Sequence, residues 1–80
     1  MIYSAQIRAA RGLLDWSRDE LVAASGLSRS TLQRMEAGDG IAAGHGGNLW
    51  QVQQALEAAG IIFLPADQFG GPGVRLKDPV

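Results

Sequence analysis

Cysteine is absent from this sequence of 80 residues, which excludes disulfide bridges and thiolate chemistry. The single histidine, His45, has no cysteines or carboxylates at ligand spacing, so we expect a solvated loop residue and no metal site. No apolar run approaches the roughly 18 residues of a membrane span. The first residues also lack the apolar segment of a secretory signal. These absences favour a cytoplasmic protein without membrane contact.

An excess of positive charge is also missing. Seven basic residues against eight acidic ones give a formal net charge of −1. Nucleic-acid-binding modules usually carry a basic excess, because the neutralisation of phosphates supplies much of their affinity. The charge balance therefore weighs against DNA binding, and it keeps protein interaction open as an alternative function.

The length suits one small domain with a thin core, for which 46% of hydrophobic residues is sufficient. No Ser-His-Asp or paired-carboxylate arrangement stands out in so short a chain. The glycine-rich stretch 44–47 lacks the Lys-Ser/Thr that follows a phosphate-binding loop. We therefore expect no enzyme: no catalytic residues, no cofactor and no small-molecule ligand.

Glycine residues mark the C-terminal ends of predicted helices, and serine or asparagine residues mark the N-terminal ends. Gly26, Gly38 and Gly60 each follow a stretch with helical periodicity, where a residue in the left-handed conformation commonly ends a helix. The predicted N-cap residues are, in chain order, Ser4, Ser17, Ser28 and Asn48. We expect the first helix to end near Leu13 and the segment 39–47 to be a loop.

Two short apolar stretches, 61–64 and 73–77, predict a β-hairpin. The expected organisation is a helical domain at 1–60 and a hairpin extension at 61–80 that is part of the same domain. Because an isolated two-stranded ribbon is marginal in water, we predict that the strands also pair across a two-fold axis. The prediction is a homodimer through residues 61–76. A monomer whose hairpin only covers the core stays open as the alternative.

The second and third predicted helices have the spacing of a helix-turn-helix. Ser17 and Glu20 form an S-x-x-E capping box at the start of the second helix. In the turn, Gly26 permits a sharp bend, Leu27 fills the gap between the helices, and Ser28 caps the third helix. In DNA-binding proteins, the second helix of such a motif lies in the major groove.

A helical wheel of the third predicted helix separates a polar arc from an apolar one. The apolar arc contains Thr31, Leu32 and Met35. The polar arc contains Arg29, Ser30, Gln33, Arg34 and Ala37. Such a helix packs on the domain by one side and offers the other to a groove, where arginine binds guanine and glutamine binds adenine. An ordinary solvated helix face is the alternative.

The segment 16–28 (WSRDELVAASGLS), followed by TLQRMEAG at 31–38, resembles the Cro and phage-repressor (XRE-type) helix-turn-helix family. The pattern L-x-x-V-x-x-A-L at 49–56 resembles the closing helix of that family. The resemblance covers roughly residues 4–60. Together with the hairpin, it implies a mostly α fold: a repressor-like domain of four to five helices with a C-terminal β-hairpin.

The resemblance also implies roles for individual residues. It places Arg29, Ser30, Gln33 and Arg34 at base-facing positions of the recognition helix. Arg18, at the start of the second helix, and Ser28 are expected to take part in DNA binding, with Arg18 on a phosphate. Arg11 and Glu36 match a structural ion pair of the family. The glycine-rich segment 39–47 departs from the family, which usually has a short extra helix there.

Two functions from different classes follow. The first is a small transcriptional regulator that reads an operator in double-stranded DNA through the major groove. The alternative is a protein-interaction module of the antiactivator type, which sequesters a transcription factor without binding DNA. In favour of the alternative, the three arginines and three acidic residues between Trp16 and Gly38 cancel. Its candidate partner surface consists of Trp50, Ile61, Phe63, Val74 and Leu76.

Overall fold

The computed structural model describes residues 2–78. Within them, four helices are followed by a C-terminal antiparallel hairpin. The elements are α1 (Ser4–Leu14), α2 (Arg18–Ser25), α3 (Arg29–Glu36), α4 (Gly46–Ala58), β1 (Ile61–Leu64) and β2 (Gly73–Leu76). This architecture confirms the predicted fold class. The last two residues of the predicted extension 61–80 lie outside the described residues.

Local signals set the bounds of α2 as predicted. The hydroxyl of Ser17 accepts a hydrogen bond from the backbone N–H of Glu20 at 3.2 Å, and Glu20 Oε1 accepts one from the N–H of Ser17 at 3.0 Å. These two bonds form the capping box. At the other end, Gly26 has a φ of 75°, in the left-handed region that favours glycine. The turn between α2 and α3 therefore begins where the sequence predicts it.

Two predicted N-caps are wrong. Tyr3 is the N-cap of α1, and Ser4 is the first helical residue. The buried hydroxyl of Ser4 donates to the carbonyl of Met35 on α3 at 2.6 Å and does not cap the helix. Helix α4 begins at Gly46 with His45 as N-cap, so Asn48 already lies in the first turn. The prediction failed there because Gly46 and Gly47 were assigned to the preceding loop, whereas both lie in the first turn of α4.

Helix α3 is also shorter than predicted. It ends at Glu36 with Ala37 as C-cap, and Gly38, with a φ of 90°, belongs to the following loop. That loop is tied to the N-terminal segment, because Ser4 N donates to Gly40 O and Ala42 N donates to Ile2 O, both at 2.9 Å. The glycine-rich connection therefore runs back along the start of α1 instead of projecting freely from the domain.

The hydrophobic core lies between the helices and one face of the hairpin. Its fully buried members include Ile7, Ala10, Leu21, Leu32, Met35, Val52 and Leu56. The hairpin pairs Ile61 with Leu76 and Phe63 with Val74, and these four residues pack on the core. The opposite face carries Ile62, Leu64 and Arg75. Gln6, buried on α1, donates from Nε2 to the carbonyls of Gly73 at 2.9 Å and Leu64 at 3.3 Å, which fixes the hairpin to the helices.

Candidate nucleic-acid interface

One side of α3 is exposed along its whole length, and the other side is buried. Leu32 and Met35 are fully buried. The exposed side chains are Arg29, Ser30, Gln33 and Arg34. The structure therefore brings the four predicted base-facing residues together on one surface of one helix. That surface has two guanidinium groups, one amide and one hydroxyl, which are groups that bind base edges and phosphates.

A buried carboxylate holds α3 in place. Glu36, whose side chain is 1% exposed, accepts hydrogen bonds from Arg11 Nε at 2.8 Å and Arg11 Nη2 at 2.7 Å. These bonds raise the pKa of Arg11 above its ordinary value, and burial only partly opposes them. The two residues that the resemblance paired are thus in bidentate contact, and the contact fixes the angle between α3 and α1.

Arg18 makes a second contact with the same carboxylate. Its Nη2 lies 3.2 Å from Glu36 Oε1, whereas its buried Nε has no hydrogen-bond partner. Sequence reasoning assigned Arg18 to a phosphate and did not foresee this ion pair. The contact ties the first residue of α2 to the last residue of α3, and it is longer than the bonds from Arg11.

Arg8 adds a third cation at this end of α3. Its Nη1 donates to the carbonyl of Glu36 and, at 3.0 Å, to the carbonyl of Gly38. Carbonyls at a helix C-terminus lack intrahelical partners and carry partial negative charge, so a cation there is favourable. This role of Arg8 was not predicted from the sequence. Only its spacing of three from Arg11, which places both on one face of α1, hinted at it.

The charged residues on the exposed face differ in their surroundings. Arg29 donates to the carboxylate of Asp19 on α2. Within residues 2–78, Arg34 takes part in no ion pair. Arg34 can therefore bind an anion without breaking an ion pair within the described part of the protein, whereas Arg29 cannot.

Ser28 acts within the turn. Its hydroxyl accepts from the backbone N–H of Thr31 at 3.2 Å and lies 2.8 Å from Thr31 Oγ1 and 3.3 Å from Ser30 Oγ. These contacts cap the N-terminus of α3 as predicted. Because the hydroxyl is still exposed, it remains beside the face that carries Arg29 and Ser30.

A cleft of about 290 Å³ adjoins Arg34 on the side of α4. Thr31 and Arg34 form one wall, and His45 and Asn48, at the start of α4, contribute to the other. The position of His45 beside the exposed face of α3 was not predicted from the sequence. The path of the glycine-rich connection, which returns past α3, brings it there.

Residues 7–44, which span α1, α2, α3 and most of the following loop, match the family model described as Helix-turn-helix. The match confirms that this segment is the helix-turn-helix of the Cro and phage-repressor (XRE) type that the sequence resemblance predicts. In a helix-turn-helix the second helix of the motif, here α3, is called the recognition helix. A comparison with curated proteins gives no match.

The five residues of the predicted partner surface do not lie on one face of the domain. Trp50 on α4 is 62% exposed. Ile61 is only 2% exposed, and Phe63, Val74 and Leu76 pack beside it on the core. The pairing register explains this placement, since residues 61 and 63 face the same side as their partners 76 and 74. Of the five predicted residues, Trp50 is thus the one that lies openly on the surface.

A metal site and a membrane span were also searched for among the described residues. Among residues 2–78, no group of three or more histidine, cysteine or acidic side chains is placed to hold a metal ion. Within the same residues, every helix is too short or too polar to cross a bilayer.

Proposed function

We propose that the protein is a transcriptional regulator that reads an operator in double-stranded DNA through its recognition helix α3. The observation that supports this function best is the exposed face of α3, with Arg29, Ser30, Gln33 and Arg34 on one side of a helix whose other side is buried. The anchoring of Glu36 by two arginines gives that helix a fixed orientation. A fixed helix loses little conformational freedom when it enters a groove.

Each exposed side chain has a role in the proposed complex. Arg34 and Arg29 bind guanine O6 and N7 or a backbone phosphate, and Gln33 binds adenine. Ser30, with Ser28 beside it, binds a base edge or a phosphate. Arg18 binds a phosphate after exchanging its 3.2 Å contact with Glu36, which keeps its two bonds to Arg11. Two copies of the protein present two recognition helices to half-sites about one helical turn apart.

Selection from a pool of random duplex DNA tests this function, because the protein itself picks out the sequence that it binds. We expect a short, palindromic consensus to be enriched. Affinity for the selected duplex should fall steeply as salt rises, because phosphate contacts release counterions. The variant Arg29→Ala/Arg34→Ala should abolish specific binding at a salt concentration where the wild type binds.

The matched control replaces cations of another surface, Arg75→Ala/Lys77→Ala, which lowers the net charge equally but leaves α3 untouched. Specific binding should survive in that variant. If no sequence is enriched and the protein binds no duplex even at low salt, the proposed function is wrong.

A second candidate function is a protein-interaction module of the antiactivator type. Two observations favour it: Arg29 and Arg18 already have acidic partners, and Trp50 is an exposed aromatic on a different helix. The expected partner is a transcription factor that the module sequesters. Recovery of one regulator by affinity capture, lost in Trp50→Ala and kept in Arg29→Ala/Arg34→Ala, would support this function when DNA binding is absent.

A further inference from the structure

We propose that the cleft between α3 and α4 binds a phosphodiester group of the DNA backbone, and that protonation of His45 strengthens this contact. DNA binding then tightens as the pH falls. The inference rests on the proposed function, because it concerns the backbone strand that lies beside the recognition helix in the proposed complex. It assigns a ligand to the cleft and gives the single histidine of the sequence a role.

The lining of the cleft carries groups that bind phosphate oxygens. From α3, Thr31 contributes a hydroxyl and Arg34 contributes a guanidinium. From the start of α4, His45 contributes an imidazole and Asn48 contributes an amide. All four groups donate hydrogen bonds to anions. Within residues 2–78, no carboxylate lines the cleft, so its side chains suit an anion better than a cation.

His45 is held beside α3 by the glycine that precedes it. Gly44 has a φ of 141°, in the left-handed region that favours glycine, and a Cβ at that position would lie 3.0 Å from Met35 Cε. The connection therefore packs directly against α3 before α4 begins. His45 follows as the N-cap residue, but it is exposed and its side chain makes no capping hydrogen bond. Its imidazole is thus accessible to a ligand, and replacing it removes no helix cap.

The acidic side chains of α2 and α3 are bound to other partners. Asp19 pairs with Arg29, and the buried Glu36 pairs with Arg18 as well as with the arginine of α1. Glu20 closes the capping box of α2. These three carboxylates are therefore engaged away from the lining of the cleft.

The other elements around the cleft also keep their acidic groups away from it. Asp39, in the connection after α3, lines a groove beside α1 instead. Glu57 lies in the last turn of α4, whereas His45 precedes the first turn. The strand β1, which packs on α4, contains only apolar residues. The cleft therefore presents Arg34 and, once it is protonated, His45 to an incoming anion.

The place of the cleft favours the DNA backbone as the source of the phosphate. An α-helix with its side chains is about 10–12 Å across, and the major groove of B-DNA is about 12 Å wide. When the exposed face of α3 lies in that groove, the flank of the helix reaches one of the two backbones. The cleft adjoins α3 on the flank that faces α4, so a phosphodiester group of that backbone comes next to it.

Protonation of His45 and phosphate binding favour each other. An ordinary imidazole takes up a proton at about pH 6.5. A phosphate oxygen binds the charged ring more strongly than the neutral one, because a charge-assisted hydrogen bond replaces a neutral one. The complex therefore retains this proton better than the free protein does. By linkage, affinity for DNA rises as the pH falls through this range and is lowest above it.

Fluorescence anisotropy with the selected duplex, at constant ionic strength and at about pH 5.5 and about pH 8, tests the pH dependence. The wild type should bind about five- to tenfold more tightly at the lower pH. His45→Gln should bind equally at both, which separates His45 from every other titrating group. His45→Lys, which keeps its charge at both, should bind tightly at both. Gln54→Lys, which adds a cation further along α4, is the matched control and should keep the pH dependence of the wild type.

Two results of this experiment would contradict the inference and leave the proposed function intact. One is a selected duplex that the wild type binds equally at the two pH values. The other is a pH dependence that His45→Gln retains.

Dimethyl phosphate probes the cleft without DNA, because it is a phosphodiester whose single negative charge is the same at both pH values. The NMR signals of His45 and Asn48 should shift on its addition at about pH 5.5 and much less at about pH 8. Arg34→Met should reduce these shifts, whereas Arg75→Met, on the hairpin, should not.

The outcomes of the two experiments separate the site from the proposed function. No shift with dimethyl phosphate at either pH overturns the site. Shifts at His45 in a protein that selects no duplex refute the proposed function alone. Shifts together with pH-independent binding of a selected duplex overturn the DNA contact, because the cleft would then take a free phosphate.

Discussion

Arg29, the first residue of the recognition helix, donates a hydrogen bond to the carboxylate of Asp19 on α2. The two side chains are 59% and 66% exposed, and an ion pair in water contributes at most about 1 kcal/mol to stability. The ion pair of Asp19 with Arg29 therefore contributes little to the stability of the fold. It does place a negative charge beside a side chain that the proposed function needs for DNA, so it competes with any phosphate or guanine for Arg29.

The first prediction concerns that competition. Asp19→Asn frees Arg29 and removes one negative charge beside the face that we propose binds DNA. We expect affinity for the selected duplex to rise severalfold at low salt. We also expect the logarithmic dependence of affinity on salt to become steeper by up to about one, since one more phosphate contact forms. Fluorescence anisotropy with a labelled duplex over a salt series measures both quantities.

Glu57→Gln on α4 is the control for the change in net charge, because it makes the same charge change away from α3. It should alter binding much less than Asp19→Asn does. The opposite result, weaker binding by Asp19→Asn, would mean that the carboxylate orients Arg29 for its DNA contact.

The sequence could predict the features that depend on near neighbours. The capping box of Ser17 and Glu20, the left-handed Gly26 and the two faces of α3 all follow from residues within four positions of each other. The hairpin at 61–64 and 73–76 followed from apolar stretches separated by glycine and proline. Local patterns of this kind are set by backbone sterics and periodicity, and no tertiary contact overrode them here as one did at Ser4.

The second prediction concerns the buried carboxylate under α3. Arg11→Met removes two hydrogen bonds from Glu36, whose side chain is 1% exposed, and leaves that charge with the weaker contact from Arg18. Removing one partner of a buried ion pair costs about 3–5 kcal/mol when the remaining charge is left uncompensated, and the contact from Arg18 makes the cost smaller here. In a domain of this size we expect a large fall in the midpoint of urea denaturation, with partial unfolding at 37 °C.

Arg34→Met is the matched control, because it removes an exposed arginine that takes part in no ion pair among the described residues. It should leave the denaturation midpoint nearly unchanged. Arg11→Lys keeps the charge but loses the bidentate geometry, so it should fall between the wild type and Arg11→Met. Equal stability of Arg11→Met and the wild type would show that the pair does not anchor α3.

The third prediction concerns Ser4, which sequence reasoning assigned to a helix cap. Its buried hydroxyl lies 2.6 Å from the carbonyl of Met35 and 3.0 Å from that of Ala37. Ser4→Ala leaves these carbonyls without that donor, and a buried unsatisfied group costs about 1–3 kcal/mol. Thermal unfolding should show a clear loss of stability. Ser30→Ala, at an exposed position, should show almost none.

Ser4 also illustrates what the sequence could not supply. Its partner Met35 is 31 positions away, and Arg8 reaches Glu36 across 28 positions. Such contacts depend on how the helices pack, and no periodicity within one helix indicates which polar side chain will meet a distant carbonyl. The ion pair of Arg18 with Glu36 and the position of His45 beside Arg34 escaped prediction for the same reason.

The last prediction concerns the attachment of the hairpin. Gln6 Nε2 donates to a carbonyl of each strand, Gly73 and Leu64, and Gln6 Oε1 accepts from the N–H of Tyr3 at 2.8 Å. Gln6→Met has a similar length but keeps none of these bonds, so the hairpin should open more often than the helices do. Hydrogen exchange measures this opening, with the amide of Lys77, which donates to Gly60 O at 2.7 Å, as the reporter.

In Gln6→Met the exchange of the Lys77 amide should accelerate, while amides of α2 and α3 keep their protection. Gln54→Met on α4, at an exposed position whose amide donates to the nearby Glu57 at 3.4 Å, is the control and should leave the hairpin protected. Unchanged exchange in Gln6→Met would mean that the apolar contacts of Ile61, Phe63 and Val74 hold the hairpin by themselves. Faster exchange in the hairpin alone would show that one buried amide on α1 couples the extension to the helices, because no other change was made to either strand.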